Sequence, residues 1–194
     1  MTRNDADFKI LVVDDNRELR EILEEYLGSE GDNVEGATNG KEALEKYRDN
    51  YYDLIITDLN MPELAGMELI KTIQQESEVT EFVIITGCAS MVSAVEAIKI
   101  GAFDYILKPF RMEELSVVVK NVREKVRLKK LNAQLYDTLK SFYDEIERYR
   151  QKSEDNTVNK EPKEIVFESI SNAEKIVNEI KNFEKLRKNR SLID

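Results

Sequence analysis

The sequence predicts an α/β protein: a doubly wound sheet of five parallel strands followed by an α-helical extension. Two patterns carry that expectation. Short apolar runs alternate with amphipathic stretches through residue 125, as consecutive βα units of a parallel sheet with right-handed crossovers do. Beyond residue 112 the strand signal stops and a helical pattern runs on.

The strands are expected at residues 9–13, 34–37, 54–57, 82–86 and 105–107. The first, third and fourth are continuously apolar, which fits strands covered on both faces. Helices are expected at 17–27, 41–50, 66–75, 90–100 and from Met112 onward. Asn39 before "GKEALEKY" and Ser90 before "MVSAVEAIKI" are suited to cap helix starts. Gly28 and Gly101 stand where helices should stop.

Four segments follow: a folded domain over 1–125, a helical coiled-coil extension over 126–150, a linker over 151–162 and an amphipathic helix over 163–190. Leu128, Leu135, Phe142 and Tyr149 recur every seven residues, with Asn132, Leu139 and Ile146 four residues after the first three. That is the d/a spacing of a parallel two-stranded coiled coil with one polar a position. An earlier seam, Leu115, Val119, Val122 and Val126, is out of frame with it and is expected to pack on the sheet. The linker is polar and contains Pro162, and the last helix places Val166, Ile170, Ala173, Val177 and Ile180 on one face. The expectation is a homodimer through 128–149 and the fifth-helix face; a fold-back hairpin is the alternative.

Composition narrows the function classes. Of 194 residues, 41% are hydrophobic, enough for a core. No apolar run reaches the roughly 18 residues of a membrane span, and the polar "MTRNDADF" start has no secretory pattern. With a single cysteine, Cys88, no internal disulfide forms, and a cytoplasmic location is expected. The chain has no histidine, which removes the commonest general base and any phosphohistidine step of its own. Residues 1–110 hold 10 Lys and Arg against 23 Asp and Glu, while residues 151–194 hold 9 of each. The C-terminal part therefore offers no strong basic field, and nucleic-acid binding is not expected.

In a doubly wound sheet, ligands gather at the carboxyl ends of the strands. The first strand ends in Asp14-Asp15, the third in Asp58 within "DLIITDLNMP", the fourth in Thr86 within "VIITG", and the fifth in Lys108-Pro109 within "YILKPF". Converging carboxylates repel unless a cation sits among them. All the hard donors are oxygens, so the expected ion is Mg²⁺, with Mn²⁺ as a substitute. Asp14 and Asp15 are expected to hold it, Asp15 the more directly, alongside Asp58. Asp58 alone ends the third strand, expected to be central, and is taken as the nucleophile of an acyl-phosphate chemistry. Phosphoryl transfer needs chiefly positioning and charge neutralisation. Lys108 would supply a point charge and Thr86 a hydroxyl donor.

Four of these stretches, "LVVDDN", "DLIITDLNMPELAG", "VIITG" and "DYILKPF", resemble the receiver domain of bacterial two-component response regulators, over about residues 7–125. The wording is most similar to receivers of nitrogen-regulator type. The resemblance implies a flavodoxin-like sheet of order 2-1-3-4-5. It implies that a histidine kinase phosphorylates Asp58, and that the Asn60 backbone carbonyl joins Asp14, Asp15 and Asp58 around Mg²⁺. Lys108 and Thr86 would contact the phosphoryl group, and Tyr105 would swing inward as Thr86 moves. Such a chain is a phosphoacceptor that supports its own phosphotransfer and dephosphorylation, not an enzyme in the usual sense.

The output is less legible. No GxxxxGK[ST] loop and no convincing helix-turn-helix occurs, so the expected readout is contact with an unidentified downstream protein. A Mg²⁺-dependent phosphohydrolase with an Asp nucleophile is the alternative from another class. Haloacid-dehalogenase-like enzymes carry a second Asp two residues on, where this chain has Asn60. A scaffold receiver without phosphorylation is the third reading.

Overall fold

A computed structural model of the chain describes residues 8–76, 79–87 and 91–154. The elements alternate as expected: β1 Lys9–Val13, α1 Arg17–Ser29, β2 Asn33–Ala37, α2 Gly40–Asp49, β3 Leu54–Thr57, α3 Gly66–Glu76, β4 Glu81–Thr86, α4 Met91–Lys99, β5 Asp104–Leu107 and α5 Met112–Glu154. The strands form one sheet of order β2-β1-β3-β4-β5, parallel at every pairing. The chain divides into two compact units, Met1–Arg127 and Leu128–Asp194.

In the first unit, strand residues alternate between two cores. Ile10, Val12, Leu54, Ile56, Val83 and Ile85 face Leu23 and Leu27 of α1 and the seam Leu115, Val119, Val122 and Val126 of α5. Leu11, Val13, Ile55, Phe82 and Ile84 face Ala43 of α2, Leu69, Ile70 and Ile73 of α3, and Ala97 of α4. Side chains alternate faces along a strand, so coverage on both sides explains why these strands read as unbroken apolar runs. Each buried aliphatic side chain contributes roughly 1.5–3 kcal/mol.

Two ion pairs pin α5 to buried acids. Arg123 reaches Asp32 and lies over the Phe8 ring, 4.7 Å from its centroid. Lys125 reaches Glu81 at 2.9 Å and lies over Phe103. Burial pushes the Asp32 carboxyl above its ordinary range, against the pull of Arg123. The second Asp32 oxygen is buried with no hydrogen-bond partner among the described residues.

Helix limits follow local chemistry. The Asn39 side chain accepts the Glu42 N–H at the start of α2, and Asn16 does the same for Leu19 in α1. Gly101 adopts a φ of 80° after α4, as expected of a stop. Gly28 does not end α1. The helix runs on to Ser29, and Gly31, with a φ of 95°, takes the left-handed conformation instead. Ser90, expected to cap α4, and Cys88 lie outside the described residues.

In the second unit the described residues, 128–154, are all helical, so α5 runs four residues into the expected linker. The rest of the linker and the expected last helix lie outside the described residues. Leu131 is buried, and Leu135, Thr138 and Phe142 are half-buried, whereas Leu128, Leu139, Tyr136 and Tyr143 are exposed. The shielded stripe thus lies to one side of the expected seam. It keeps Leu135 and Phe142 but leaves Leu128, Asn132 and Leu139 open.

Candidate functional site

β1 and β3 are adjacent, and their last residues, Val13 and Thr57, pair. The residues that follow, Asp14 and Asp58, therefore leave the sheet side by side. Both backbones stay tied to the ladder: Asp14 N–H donates to the Ala37 carbonyl and Asp58 N–H to that of Val13. Each carboxylate also folds back on its own turn. Asp14 Oδ1 accepts the Asn16 N–H at 2.8 Å, and Asp58 Oδ1 accepts the Asn60 N–H at 3.1 Å. These are Asx-type turns, and they leave the second oxygen of each acid available.

Those oxygens meet one cation. Lys108 Nζ donates to Asp14 Oδ2 at 2.7 Å and to Asp58 Oδ2 at 2.6 Å. Asp14 and Asp58 are both buried. β5 delivers the lysine because Leu107 pairs with Thr86, and Lys108 N–H then donates to the Thr86 carbonyl. Burial lowers the ammonium's affinity for its proton, the largest single influence. Hydrogen bonds and attraction to Asp14 and Asp58 together outweigh it and hold Lys108 above its ordinary range. The Lys108–Pro109 peptide is cis.

The remaining expected residues fall differently. Thr86 is fully buried at the carboxyl end of β4. Tyr105 lies half-buried against the core that contains Ile84, its register partner. Asp15 stands exposed beside Asp14. Among the described residues no three acidic, histidine or cysteine side chains gather as a cluster. Lys108 already satisfies two of the acids, and a third would add like charge. The donor set still fits a hard divalent ion: the donors are oxygens only, and the two buried carboxylates against one ammonium leave one negative charge, with Asp15 exposed next to Asp14 in the chain. Mg²⁺ itself takes one or two carboxylates and completes its shell with other oxygens.

Three contributors were not singled out from the sequence. Arg20 of α1 donates to the Asp14 carbonyl at 2.6 Å, a contact that an arginine one turn beyond an acidic pair hints at. Gly66 opens α3 so close to the Asp58 carbonyl that a Cβ would overlap it. Gly40 opens α2 in the same relation to the Leu64 carbonyl. A glycine at a helix start is the only sequence signal for either.

The model of the response regulator receiver domain matches residues 10–120. The chain belongs to that family. It is 32% identical over 135 residues to the regulatory protein AtoC of Escherichia coli, covering 70% of this chain and 29% of AtoC. It is 40% identical over 107 residues to the response regulator ArlR of Staphylococcus aureus, covering 55% of this chain and 48% of ArlR. A receiver-domain crystal structure from Clostridium thermocellum superposes with a TM-score of 0.59 at 32% identity, over 62% of this chain and 98% of that one. The chain thus spans between about a third and a half of these two curated relatives, while containing nearly all of the solved receiver. The receiver family is a phosphoacceptor signalling domain of two-component systems.

Proposed function

We propose that this receiver accepts a phosphoryl group on Asp58 from a partner histidine kinase. An Asp58 carboxylate oxygen attacks phosphorus as the bond to the kinase imidazole breaks. The imidazole leaves with the bonding pair, and an acyl phosphate remains on Asp58. The observation that carries this reading is the single ammonium within 2.7 Å of both Asp14 and Asp58. It supports a pocket in which one added phosphoryl group meets a cation at once.

Asp14, Asp15, Asp58 and the Asn60 carbonyl would hold Mg²⁺, or Mn²⁺ in its place. The ion's chemistry is to neutralise charge on the phosphoryl oxygens. Lys108 releases one carboxylate and takes a phosphoryl oxygen, and Thr86 turns its hydroxyl toward another. Tyr105 follows into the space that Thr86 leaves. A phosphoryl group adds close to two negative charges and three acceptor oxygens, which biases the elements carrying Thr86, Tyr105 and Lys108.

The output we propose is protein contact in the cytoplasm. A homodimer through 128–149 and the fifth-helix face is supported by Leu128, at 39% exposure, and Leu139, at 54%. Both are apolar, open to solvent and spaced as seam residues. A downstream protein would read the state of that helix.

The test is incubation with acetyl phosphate, or with beryllofluoride and Mg²⁺, followed by intact-mass or NMR detection. Wild type is modified and Asp58→Ala is not. Equal modification of Asp58→Ala would place the acceptor elsewhere. Light scattering of the whole chain reports the dimer.

A further inference from the structure

We infer that Gly40, at the start of α2, is a positioning residue for the loop that carries Asp58 and Asn60. The inference rests on the phosphoacceptor reading and deepens it. Gly40 is buried, and a Cβ added there would overlap the Leu64 carbonyl oxygen and stand 3.0 Å from the Leu64 Cβ. The loop between β3 and α3 therefore lies directly on the backbone of the β2–α2 turn. Its other end closes in the same way, with Gly66 against the Asp58 carbonyl and the Gly66 N–H donating to Leu59 O at 3.2 Å. Two glycines thus bound the segment that presents the acceptor.

The two sides of the Gly40 contact are not equally firm. On the α2 side, Asn39 caps the helix at 2.9 Å, and Glu42 accepts both the Thr38 N–H at 2.9 Å and the Thr38 hydroxyl at 2.6 Å. Lys46 anchors the same helix to the Gly36 carbonyl of β2, and Ala43 is fully buried. On the loop side, Leu64 is held by a short-range bond from its N–H to Pro62 O at 2.8 Å. Glu63, its neighbour, has a φ of 65°, a region sparsely populated by non-glycine residues. Asn39 Nδ2 reaches Glu63 Oε1 only at 3.4 Å.

A side chain at position 40 therefore displaces the loop rather than the helix. Carbon and carbonyl oxygen settle at roughly 3.3–3.6 Å, so the Leu64 carbonyl must retreat by about 1 Å. Asn60 and Asp58 lie four and six residues upstream in the same segment, and Gly66 cannot absorb the shift because it already touches Asp58. A displacement of about 1 Å at a reacting group lowers rates by up to about a hundredfold.

The experiment compares Gly40→Ala with Ala43→Gly in the full-length chain. Ala43→Gly weakens the same helix without pressing on Leu64. Each protein is melted, titrated with Mg²⁺ while the Asp58 and Asn60 amides are followed by NMR, and labelled with acetyl phosphate. For Gly40→Ala we expect a cooperative melt, Mg²⁺ affinity weakened several-fold and labelling slowed roughly 10- to 100-fold. Ala43→Gly should lose stability yet keep both functions within about twofold of wild type. A Gly40→Ala protein that binds Mg²⁺ and labels like wild type overturns the inference, as does an Ala43→Gly protein equally impaired. Wild type that takes no label removes the underlying reading instead. Should Gly40→Ala not fold in buffer, it is labelled in a stabilising osmolyte such as TMAO beside wild type in the same medium. A several-fold loss of labelling supports the inference, and no loss refutes it.

Discussion

Replacing Lys108 by methionine keeps the length of the side chain and removes its charge. Asp14 and Asp58 then lose bonds of 2.7 and 2.6 Å and face each other with no cation between them. Hydrogen bonds to charged groups contribute roughly 1.5–3 kcal/mol each, and breaking a buried ion pair from one side costs about 3–5 kcal/mol. The lysine side chain is 23% exposed, so solvent softens the loss, and the lower end, about 3 kcal/mol, is expected. With a urea slope of about 1–3 kcal/mol per M, the unfolding midpoint falls by roughly 1–3 M. Metal binding should change in the opposite sense. Two unit charges 4 Å apart interact by about 1 kcal/mol in water and a divalent ion doubles that, so losing the ammonium should tighten Mg²⁺ binding roughly 30-fold. Saturating Mg²⁺ then restores part of the lost stability, while labelling of Asp58 still falls. In the wild type, Lys108 holds its proton more tightly folded than unfolded. Its stabilisation is therefore full below its ordinary value of 10.5 and is lost only as pH rises through the higher folded value. A Lys108→Met midpoint within about 0.3 M of wild type, or weaker Mg²⁺ binding in the variant, would refute the reasoning.

Two further pH experiments use groups away from the rim. Bonds from the Thr38 hydroxyl and backbone hold the Glu42 carboxyl at about 2, against an ordinary 4.5. Its stabilisation is present above pH 4.5 and is lost as pH falls toward 2. Glu42→Gln should flatten that acid limb of a pH–stability curve, by at most about 1 kcal/mol because the side chain is more than a third exposed. Asp32 behaves oppositely. Burial raises its carboxyl above the ordinary 3.8, so the folded state binds more protons just above that pH and stability declines as pH rises through the window. Asp32→Asn should remove that decline, which chemical denaturation at several pH values between 4 and 6 would reveal.

The central strands were legible because burial on both faces leaves no polar residue to confuse the pattern. The edge strands β2, "NVEGA", and β5, "DYIL", carry a weaker apolar signal, because their positions are only partly covered. Asp14, Asp58 and Lys108 were legible for a topological reason: each directly follows a strand, and the sheet order brings those strand ends together. The exposure of Asp15 was not, because which of two adjacent acids turns inward depends on the Asn16 turn and on the single lysine. Gly28 misled because a glycine inside a helix looks like one after it, while the left-handed residue was Gly31. In α5, heptad counting finds apolar positions but not which of them is covered, so it does not single out the buried Leu131. Gly40 and Gly66 act through contacts with distant backbone, which periodicity cannot reveal.

Apolarity on both faces also leaves the central strands without an internal ruler. A one-residue slip in β3, "LIIT", would exchange one aliphatic face for another at little cost in hydrophobic burial. What fixes its alignment lies at the two ends. Asp53, before β3, accepts the Lys9 N–H at 3.1 Å, and Asp58, after it, must reach the lysine shared with Asp14. A slip would carry both acids along by about 3.3 Å and turn them to the wrong side. The acid that awaits a phosphoryl group thus also marks where its own strand belongs, and a neutral residue there loosens pairing fidelity as well as chemistry.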